Sequence, residues 1–171
     1  MELVKRNLKS FFNPIQTQCF HTLYHTDKNV LIGAPTGSGK TIMAQIALMR
    51  MLQIGNVNSK CVFIAPMKAL VREHLREFKN RFRDIGLGIV EVTGDSSKSE
   101  GSIKNSKLII TTPEKWDSIT RNRPEMIYQT ALLVIDEVHL LGEERGAVLE
   151  SIVARIKFHK DAATRIICIY H

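Results

Sequence analysis

A glycine-rich stretch near the start of the sequence has the residue types and spacing of a phosphate-binding turn. The segment APTGSGKT (34–41) follows the apolar run VLIG and precedes the long apolar run IMAQIALMRML. Such a turn between a strand and a helix directs several backbone N–H groups and the positive end of the helix dipole at one point. Lys40 then reaches the β- and γ-phosphates of a nucleotide, and the Thr41 hydroxyl becomes a ligand for Mg²⁺. The predicted loop consists of Ala34, Pro35, Thr36, Gly37, Ser38, Gly39, Lys40 and Thr41.

Two adjacent carboxylates are the second feature suited to phosphate chemistry. In ALLVIDEVHLL (131–141), Asp136 and Glu137 stand at the carboxyl end of a hydrophobic run, where parallel α/β sheets place their ligands. We predict that Asp136 binds Mg²⁺ and that Glu137 orients the attacking water, with Lys40 completing the catalytic set. An acidic pair after a strand is also common in solvated turns, and Ala34 stands where the usual loop has its first glycine. The occurrence of both features in one sequence favours the catalytic interpretation.

Composition restricts the class of protein. The chain has 171 residues, which predicts a single domain (1–171) with a core of its own. An excess of 24 Lys and Arg over 17 Asp and Glu gives a net charge of +7, which suits either nucleic acid or simply a basic surface. The three cysteines are far apart and predict neither a disulfide framework nor a zinc site. Because no apolar run approaches the roughly 20 residues of a membrane span, we expect an intracellular protein without a membrane partner.

Short β-rich apolar runs alternate with longer helical stretches, which is typical of a parallel sheet covered by helices. Strands are predicted at 30–34, 61–65, 89–93, 108–112, 131–136 and 165–169. Helices are predicted at 41–53, 67–83, 113–120 and 145–157. The polar segment GDSSKSEGSIKN (94–105) reads as a surface loop. The expected fold class is therefore α/β, with a central parallel sheet and helices on both faces.

The glycine-rich loop and the DEVH box (136–139) together resemble motifs I and II of superfamily-two helicases of the DExH type. Three further segments resemble motifs with which this family binds nucleic acid: IAPMKAL (64–70), TGD (93–95) and TTPEKWD (111–117). FNPIQ (12–16) resembles the upstream segment whose glutamine recognises adenine. HLLGEERGAVLESIVAR (139–155) resembles the superkiller-like branch, above all its tandem-cassette members. The resemblance implies a RecA-like P-loop NTPase domain that binds ATP and Mg²⁺. It also implies that the last strand inserts between the strand before the loop and the strand before the box.

The resemblance assigns roles to single residues as well. Gln16 would pair with adenine, although a glutamine near a helix start is also an ordinary polar residue. His139 would link the ATP site to the nucleic-acid side. The residues that would hold the backbone of an RNA or DNA single strand are Pro66, Lys68, Arg72, Thr93, Gly94, Thr112, Pro113 and Glu114. Thr112 and Pro113 equally fit a helix cap, and Trp116 reads as a core residue.

The resemblance also implies a partner that these residues do not supply. Superfamily-two helicases are similar in needing a second RecA-like lobe, whose arginine fingers contact the γ-phosphate. The sequence closes on RIICIYH (165–171), and we expect that lobe to be absent from it. We therefore expect the ATP-binding and hydrolysing lobe of an ATP-dependent helicase, with RNA favoured over DNA. It would work in a larger helicase complex and be inactive alone in unwinding. The alternative is a stand-alone nucleotide- or RNA-binding module without turnover. A nuclear location is favoured, and a cytoplasmic one is compatible.

Overall fold

The apolar runs of the sequence form a six-stranded sheet in the computed structural model, which describes residues 12–94, 100–139, 146–159 and 163–170. The strands are β1 (Val30–Gly33), β2 (Lys60–Ile64), β3 (Ile89–Val92), β4 (Leu108–Thr111), β5 (Thr130–Ile135) and β6 (Arg165–Tyr170). The helices are α1 (Pro14–His25), α2 (Lys40–Ile54), α3 (Lys68–Arg81), α4 (Glu100–Asn105), α5 (Pro113–Asn122), α6 (Glu125–Gln129) and α7 (Gly146–Phe158), and a 3₁₀ turn spans Arg83–Ile85. Every strand and helix predicted from the sequence is present, with its ends displaced by at most two residues.

The order of the strands brings the two predicted catalytic segments to one edge. The strands run parallel in the order β1-β6-β5-β2-β4-β3. β6 pairs with β1, where Val30 lies opposite Ile167, and with β5, where Leu133 lies opposite Ile166. The predicted insertion of the last strand is thus confirmed. Because parallel strands end at the same edge, the segments that follow β1 and β5 are separated there only by the width of β6.

Two apolar layers cover the two faces of the sheet. One face packs against α1, α2 and α3, with Met43, Phe63 and Phe78 almost fully buried. The other packs against α5, α6 and α7 and contains Val62 and Trp116. Since neighbouring residues of a strand point to opposite faces, Val62 and Phe63 of β2 belong to different layers. Trp116 has an exposed fraction of 0%, so the prediction that it is a core residue is confirmed.

Helix α2 is buried on most sides, as its apolar sequence predicts. Residues 43–49 are all buried, including the polar Gln45. The Gln45 amide donates to Glu77 Oε1 of α3 at 3.3 Å, which satisfies one of its polar atoms inside the layer. Packing on this scale fixes the N-terminal end of α2, and with it the glycine-rich loop, relative to the sheet.

The segment 94–105 differs from its predicted loop. Residues 95–99 lie outside the described ranges, whereas Glu100–Asn105 forms α4. The buried Lys60 of β2 donates from Nζ to the carbonyl oxygens of Ile103, Lys104 and Ser106 at 3.1, 2.7 and 2.8 Å. These carbonyls are the groups that a helix C-terminus leaves unpaired. A distant lysine thus stabilises a helix that the polar composition of the segment does not indicate.

Two further helices, α1 and α6, were not predicted. α1 begins with a capping box, because the Asn13 side chain accepts from the backbone of Gln16 at 2.9 Å while Gln16 Oε1 accepts from the Asn13 backbone at 3.1 Å. α6 has only five residues and precedes β5 directly. All three cysteines are free: Cys61 is buried, and Cys19 and Cys168 are partly buried. Across the described ranges, every helix is too short or too polar to span a bilayer.

Candidate active site

The glycine-rich loop adopts backbone conformations that only glycine tolerates well. Gly37 and Gly39 have φ angles of 79° and 77°, in the left-handed region. A Cβ on Gly37 would meet nothing within 4 Å, whereas a Cβ on Gly39 would lie 2.2 Å from Gln16 Nε2. Gly39 is also the N-cap of α2, and it supplies no side-chain cap there. The first N–H groups of α2 are therefore left for an anion.

Two buried polar atoms of the loop lack a partner in the part of the chain that the structure describes. Lys40 Nζ and Ser38 Oγ are buried and make no hydrogen bond. Lys40 Nζ instead lies 3.7 Å from Glu137 Oε1, beyond hydrogen-bond distance. A buried ammonium without an acceptor is costly, and phosphate oxygens are acceptors of the right charge. These residues therefore fit the nucleotide that the sequence predicts.

The acidic pair continues directly from β5. The Asp136 N–H donates to the Ile64 carbonyl at 2.9 Å, which extends the pairing of β5 and β2 by one residue. Asp136 is 9% exposed, so the end of the strand and its neighbours fix the carboxylate. Glu137 has a φ of 53°, a left-handed conformation that is uncommon outside glycine. Strain of this kind is concentrated at functional sites.

The loop and the acidic pair face one cavity of about 320 Å³. Lys40, Thr41, Asp136 and Glu137 all line it, so the structure brings together the predicted catalytic and metal-binding residues. Within the described ranges, no three His, Cys, Asp or Glu side chains form a metal cluster. Mg²⁺ is commonly held by one or two carboxylates together with phosphates and water. Asp136 and the Thr41 hydroxyl therefore suit Mg²⁺ that arrives with a nucleotide.

Gln16 lies beneath the loop and holds it. The side chain is 4% exposed, and its Nε2 donates to the carbonyl oxygens of Ser38 at 3.3 Å and Gly39 at 3.5 Å. Asn13 Nδ2 also donates to the Ser38 carbonyl at 2.7 Å. The predicted contact of Gln16 with adenine stays a prediction, and its observed contacts are with the loop and the capping box. Asn13 was not recognised from the sequence, although its spacing of three from Gln16 is the capping-box signal.

His139 stands next to the acidic pair. Its Nδ1 lies 3.3 Å from Glu137 Oε2, and the His139 side chain is 45% exposed. The contact places His139 beside the predicted water-orienting carboxylate. Its predicted link to the nucleic-acid side stays a prediction.

The predicted nucleic-acid residues follow three neighbouring strands. Pro66, Thr93 and Thr112 come just after β2, β3 and β4, which are adjacent in the order β2-β4-β3. We call the chain segments at these three strand ends, with the first turns of α3 and α5, the strand-end strip. The members of the strip with buried side chains are Pro66, Thr93, Thr112 and Pro113. Those with exposed side chains or backbone are Lys68, Arg72, Gly94 and Glu114.

The buried threonines of the strip limit how it could hold a ligand. Thr93 is 1% exposed and Thr112 is 7% exposed, so contacts by their side chains are restricted in this conformation. Thr112 is the N-cap of α5 by position, followed by Pro113 at the first helical position, but its hydroxyl makes no capping bond. Arg72 is 62% exposed in its side chain, and its Nε lies 3.9 Å from Glu91 Oε1. The Lys68 and Arg72 side chains are both exposed, so an anion can approach them from solvent.

His74 is among the cavity-lining residues that the sequence analysis did not assign to the site, as are Glu73 and Glu77 of α3. It lies in α3, it is 8% exposed, and its Nε2 is 3.0 Å from Asp136 Oδ2. A histidine in the charged sequence VREHLREFK reads as part of a solvent face. Its position, three residues after Val71 and four before Phe78, nevertheless falls on the buried stripe of the helix.

Comparison with known proteins now identifies the family. The sequence model described as DEAD/DEAH box helicase matches residues 13–169. The chain belongs to the DEAD/DEAH box helicase family. The helicase family predicted from the loop and the DEVH box is therefore confirmed.

Two relatives of this helicase domain show how much of a longer protein it resembles. It is 52% identical over 164 residues to activating signal cointegrator 1 complex subunit 3 of Homo sapiens, and the aligned region covers 92% of this chain and 7% of that protein. It is 44% identical over 151 residues to the U5 small nuclear ribonucleoprotein 200 kDa helicase of Mus musculus, and the aligned region covers 86% of this chain and 7% of that protein. The chain therefore spans less than a tenth of the length of either relative.

A solved structure shares the fold. A hypothetical ATP-dependent RNA helicase from Sulfolobus tokodaii superposes with a TM-score of 0.76 at 18% identity, covering 99% of this chain and 50% of that one. At this identity the likeness shows the fold alone. The predicted RecA-like α/β fold of this helicase domain is confirmed.

Proposed function

We propose that this domain binds ATP with Mg²⁺ in the cavity between the glycine-rich loop and the DEVH box, and that it is the ATP-hydrolysing lobe of an RNA helicase. The observation that carries the proposal is the buried Lys40 ammonium, which has no hydrogen-bond acceptor among the described residues and faces Glu137 at 3.7 Å. Membership of the DEAD/DEAH box helicase family also supports the proposal. In addition, the whole hydrolytic set of Lys40, Thr41, Asp136 and Glu137 is present. A pure binding module would not need that set.

Each residue of the hydrolytic set has a definite task in this proposal. Lys40 exchanges its long contact with Glu137 for a phosphate oxygen, which gives the buried ammonium a charge-assisted hydrogen bond. Glu137 is then free to orient water and to accept a proton from it. Asp136 and Thr41 hold Mg²⁺, which when bound neutralises the charge that develops on the phosphates. Ser38 and the first N–H groups of α2 donate to the same phosphates.

RNA is the proposed nucleic-acid ligand of the strand-end strip. The exposed Lys68 and Arg72 and the N-terminus of α5 suit a sugar–phosphate backbone that is held without reading bases. The names of the Mus musculus and Sulfolobus tokodaii relatives describe a ribonucleoprotein helicase and an RNA helicase, and the Homo sapiens relative is named as a complex subunit. These names support RNA over DNA, a larger complex and a nuclear location. The chain covers only 7% of each of the Homo sapiens and Mus musculus relatives and 50% of the Sulfolobus tokodaii one, which supports a second RecA-like lobe in a longer protein.

A nucleotide titration tests the proposal on the full 171-residue chain. We expect a fluorescent ATP analogue to bind weakly and to bind more tightly with Mg²⁺ than with a chelator. Lys40→Ala should weaken binding about 100-fold, which matches the roughly 1.5–3 kcal/mol of a hydrogen bond to a charged group. Lys79→Ala removes an exposed lysine of α3 and is the matched control. Unchanged affinity in Lys40→Ala would contradict the phosphate assignment.

Turnover separates the proposed lobe from a binding module. We expect negligible hydrolysis and no strand separation by these residues alone, with or without RNA, because the arginines of a second lobe are needed for rate. Adding such a lobe should produce RNA-stimulated hydrolysis, which Glu137→Gln should remove while nucleotide binding persists. Robust hydrolysis by the isolated chain would disprove the dependence on a second lobe. Binding that never leads to hydrolysis, even in the longer protein, would favour the stand-alone module.

A further inference from the structure

The contact between His74 and Asp136 joins the cavity to helix α3. We propose that His74 is a positioning residue, whose Nε2–H donates to Asp136 Oδ2 and holds the carboxylate in the orientation that binds Mg²⁺. The inference rests on the proposed function, since Asp136 is a metal ligand only if the cavity takes ATP with Mg²⁺. It concerns a residue outside both the glycine-rich loop and the DEVH box.

The geometry accounts for both oxygens of the carboxylate. Oδ2 lies 3.0 Å from His74 Nε2, and Oδ1 accepts the Glu137 N–H at 3.1 Å. A carboxylate oxygen has two lone pairs, so each oxygen keeps one after these contacts. The two donors therefore define the plane of the carboxylate while a lone pair stays available for a cation.

The histidine is itself fixed by packing. The side chains of His74 and Asp136 are each only 10% exposed, and the His74 ring lies 4.6 Å from the Phe63 ring of β2, centroid to centroid. Val71 and Phe78, on the same stripe of α3, are buried on either side of it. A carboxylate requires a donor, which assigns the proton to Nε2. The ring has little room to present its nitrogens in another way.

The environment of His74 is poorly explained by packing alone. Its other nitrogen, Nδ1, is buried and makes no hydrogen bond with the described residues. An unsatisfied buried polar atom is costly, and an aliphatic side chain would fill the same place on the apolar stripe without that cost. The only polar gain of the imidazole within the described ranges is its bond to Asp136. The free-energy cost of the unsatisfied Nδ1 is borne beside a candidate metal ligand, which indicates that the imidazole serves Asp136.

The size of the effect can be set from other metal sites. Groups that hydrogen-bond to a metal ligand orient it, and their loss costs about 10- to 100-fold in metal affinity. Asp136 would stay close to its place without His74, because its backbone is still bonded to Ile64. We therefore expect the lower end of that range, with the nucleotide contacts of Lys40 unaffected.

Three variants separate the donor from the packing. His74→Gln keeps an N–H donor at about the reach of Nε2, His74→Met keeps the volume without a donor, and His74→Asn keeps an amide that is too short. The chain is titrated with Mg²⁺ at fixed fluorescent ATP analogue, and nucleotide affinity in chelator and the melting temperature are measured in parallel. Mn²⁺ binding followed by electron paramagnetic resonance reports the metal site directly.

We expect His74→Met and His74→Asn to raise the half-saturating Mg²⁺ and Mn²⁺ concentrations about tenfold, with unchanged nucleotide affinity in chelator. His74→Gln should restore the wild-type value to within about threefold, which a purely structural role would not predict. Should His74→Met fail to fold, the Gln and Asn pair carries the same comparison.

Several outcomes would overturn the inference. Equal Mg²⁺ dependence in all variants would show that the bond does not serve the metal. A loss in His74→Gln as large as that in His74→Met would show that the donor is irrelevant. Wild-type chain that binds the analogue equally with and without Mg²⁺ would instead overturn the proposed function, and the metal role of His74 with it.

Discussion

The two halves of the carboxyl edge of the sheet are built differently. The half around β1 and β5 encloses a cavity of about 320 Å³ and leaves buried polar atoms such as Lys40 Nζ without partners in the described chain. The strand-end strip at β2, β4 and β3 instead buries its threonines and exposes Lys68 and Arg72. The first arrangement suits one compact, highly charged ligand. The second suits an extended polyanion that is held by its backbone.

Helix α3 belongs to both halves. Its first two turns carry Lys68 and Arg72 of the strand-end strip, and the second of these turns also carries His74, which contacts Asp136. Two lysine or arginine side chains that could meet a nucleic acid thus share a rigid element with a residue that contacts the proposed metal ligand. Variants that affect only one half are therefore the sharpest way to examine how separate the halves are.

The largest effect is expected from the glycines of the loop. Gly39→Ala and Gly37→Ala share the same backbone cost, about 1–2 kcal/mol for a left-handed residue with a Cβ. Only Gly39→Ala also brings a Cβ to 2.2 Å from Gln16 Nε2. Gln16 must then move and lose its bonds to the loop, which costs about 1 kcal/mol more. Denaturant unfolding should thus show Gly39→Ala as the less stable variant.

The control for this prediction is the same pair in a Gln16→Ala background. Without the Gln16 side chain, the two glycine variants should have nearly equal free energies of unfolding. Affinity for a short RNA should change little in either, because the loop lies in the other half of the edge. An equal cost for both variants in the wild-type background would show that Gln16 adapts freely and does not hold the loop.

How far the sequence predicts each half depends on how local its contacts are. The loop at 34–41 is one contiguous motif whose glycines and lysine have fixed local tasks, so the sequence predicts it well. The position of the last strand between β1 and β5 follows from the family resemblance and is confirmed. The bond from His74 to Asp136 joins residues 62 positions apart, and nothing in either local sequence indicates it.

The same reasoning explains the wrong loop prediction and the missed helices. α4 is stabilised by Lys60, which lies 43 residues before Ile103, so the polar segment alone gives no helical signal. α1 has a capping box that could have been recognised, whereas α6 is too short for periodicity to show. In the strand-end strip the resemblance predicts which segments hold nucleic acid, but the burial of Thr93 and Thr112 is a tertiary property that the sequence does not show.

A charge deletion in the strand-end strip should have the next largest effect. Each cation that neutralises a phosphate of a single strand contributes about 0.7 to the slope of log affinity against log salt. The double variant Lys68→Ala with Arg72→Ala should therefore make that slope shallower by about 1.4, and it should weaken RNA binding about tenfold at low salt. Affinity for the ATP analogue should be unchanged. Fluorescence anisotropy with a labelled single strand at several salt concentrations measures both quantities.

The matched control removes the same charge from the same helix. Arg76→Ala with Lys79→Ala takes two exposed cations from α3 farther from the strand ends. It should lower the RNA affinity and the salt slope much less. Equal losses of RNA affinity in the two double variants would mean that α3 attracts RNA only by its overall charge. Lys68 and Arg72 would then not form a distinct RNA-binding site.

The smallest effect is expected at the ion pair that anchors α5, the helix that begins in the strip. Asp117 accepts from Arg155 Nη2 of α7 at 2.7 Å and from Arg121 Nε at 2.8 Å. Burial raises the pKa of the Asp117 carboxyl, but the bonds to Arg155 and Arg121 outweigh it, so the pKa is lower than usual. A carboxylate with a lowered pKa stabilises the fold above its unfolded value of about 3.9 and loses that contribution as pH falls through its folded pKa.

Asp117→Asn should therefore destabilise the domain by about 0.5–1 kcal/mol at pH 7, since the pair is largely but not fully shielded from solvent. Below the folded pKa the wild-type carboxyl is protonated, and the difference between the two proteins should shrink towards zero. Unfolding free energies measured from pH 7 down through the acid range test this, with the exposed Asp84→Asn as a control of equal charge change. Because α5 contacts the strip and not the cavity, affinity for the ATP analogue should stay constant at pH 7. A difference in stability independent of pH would show that Asp117 acts through packing, and that charge does not hold this end of the strip in place.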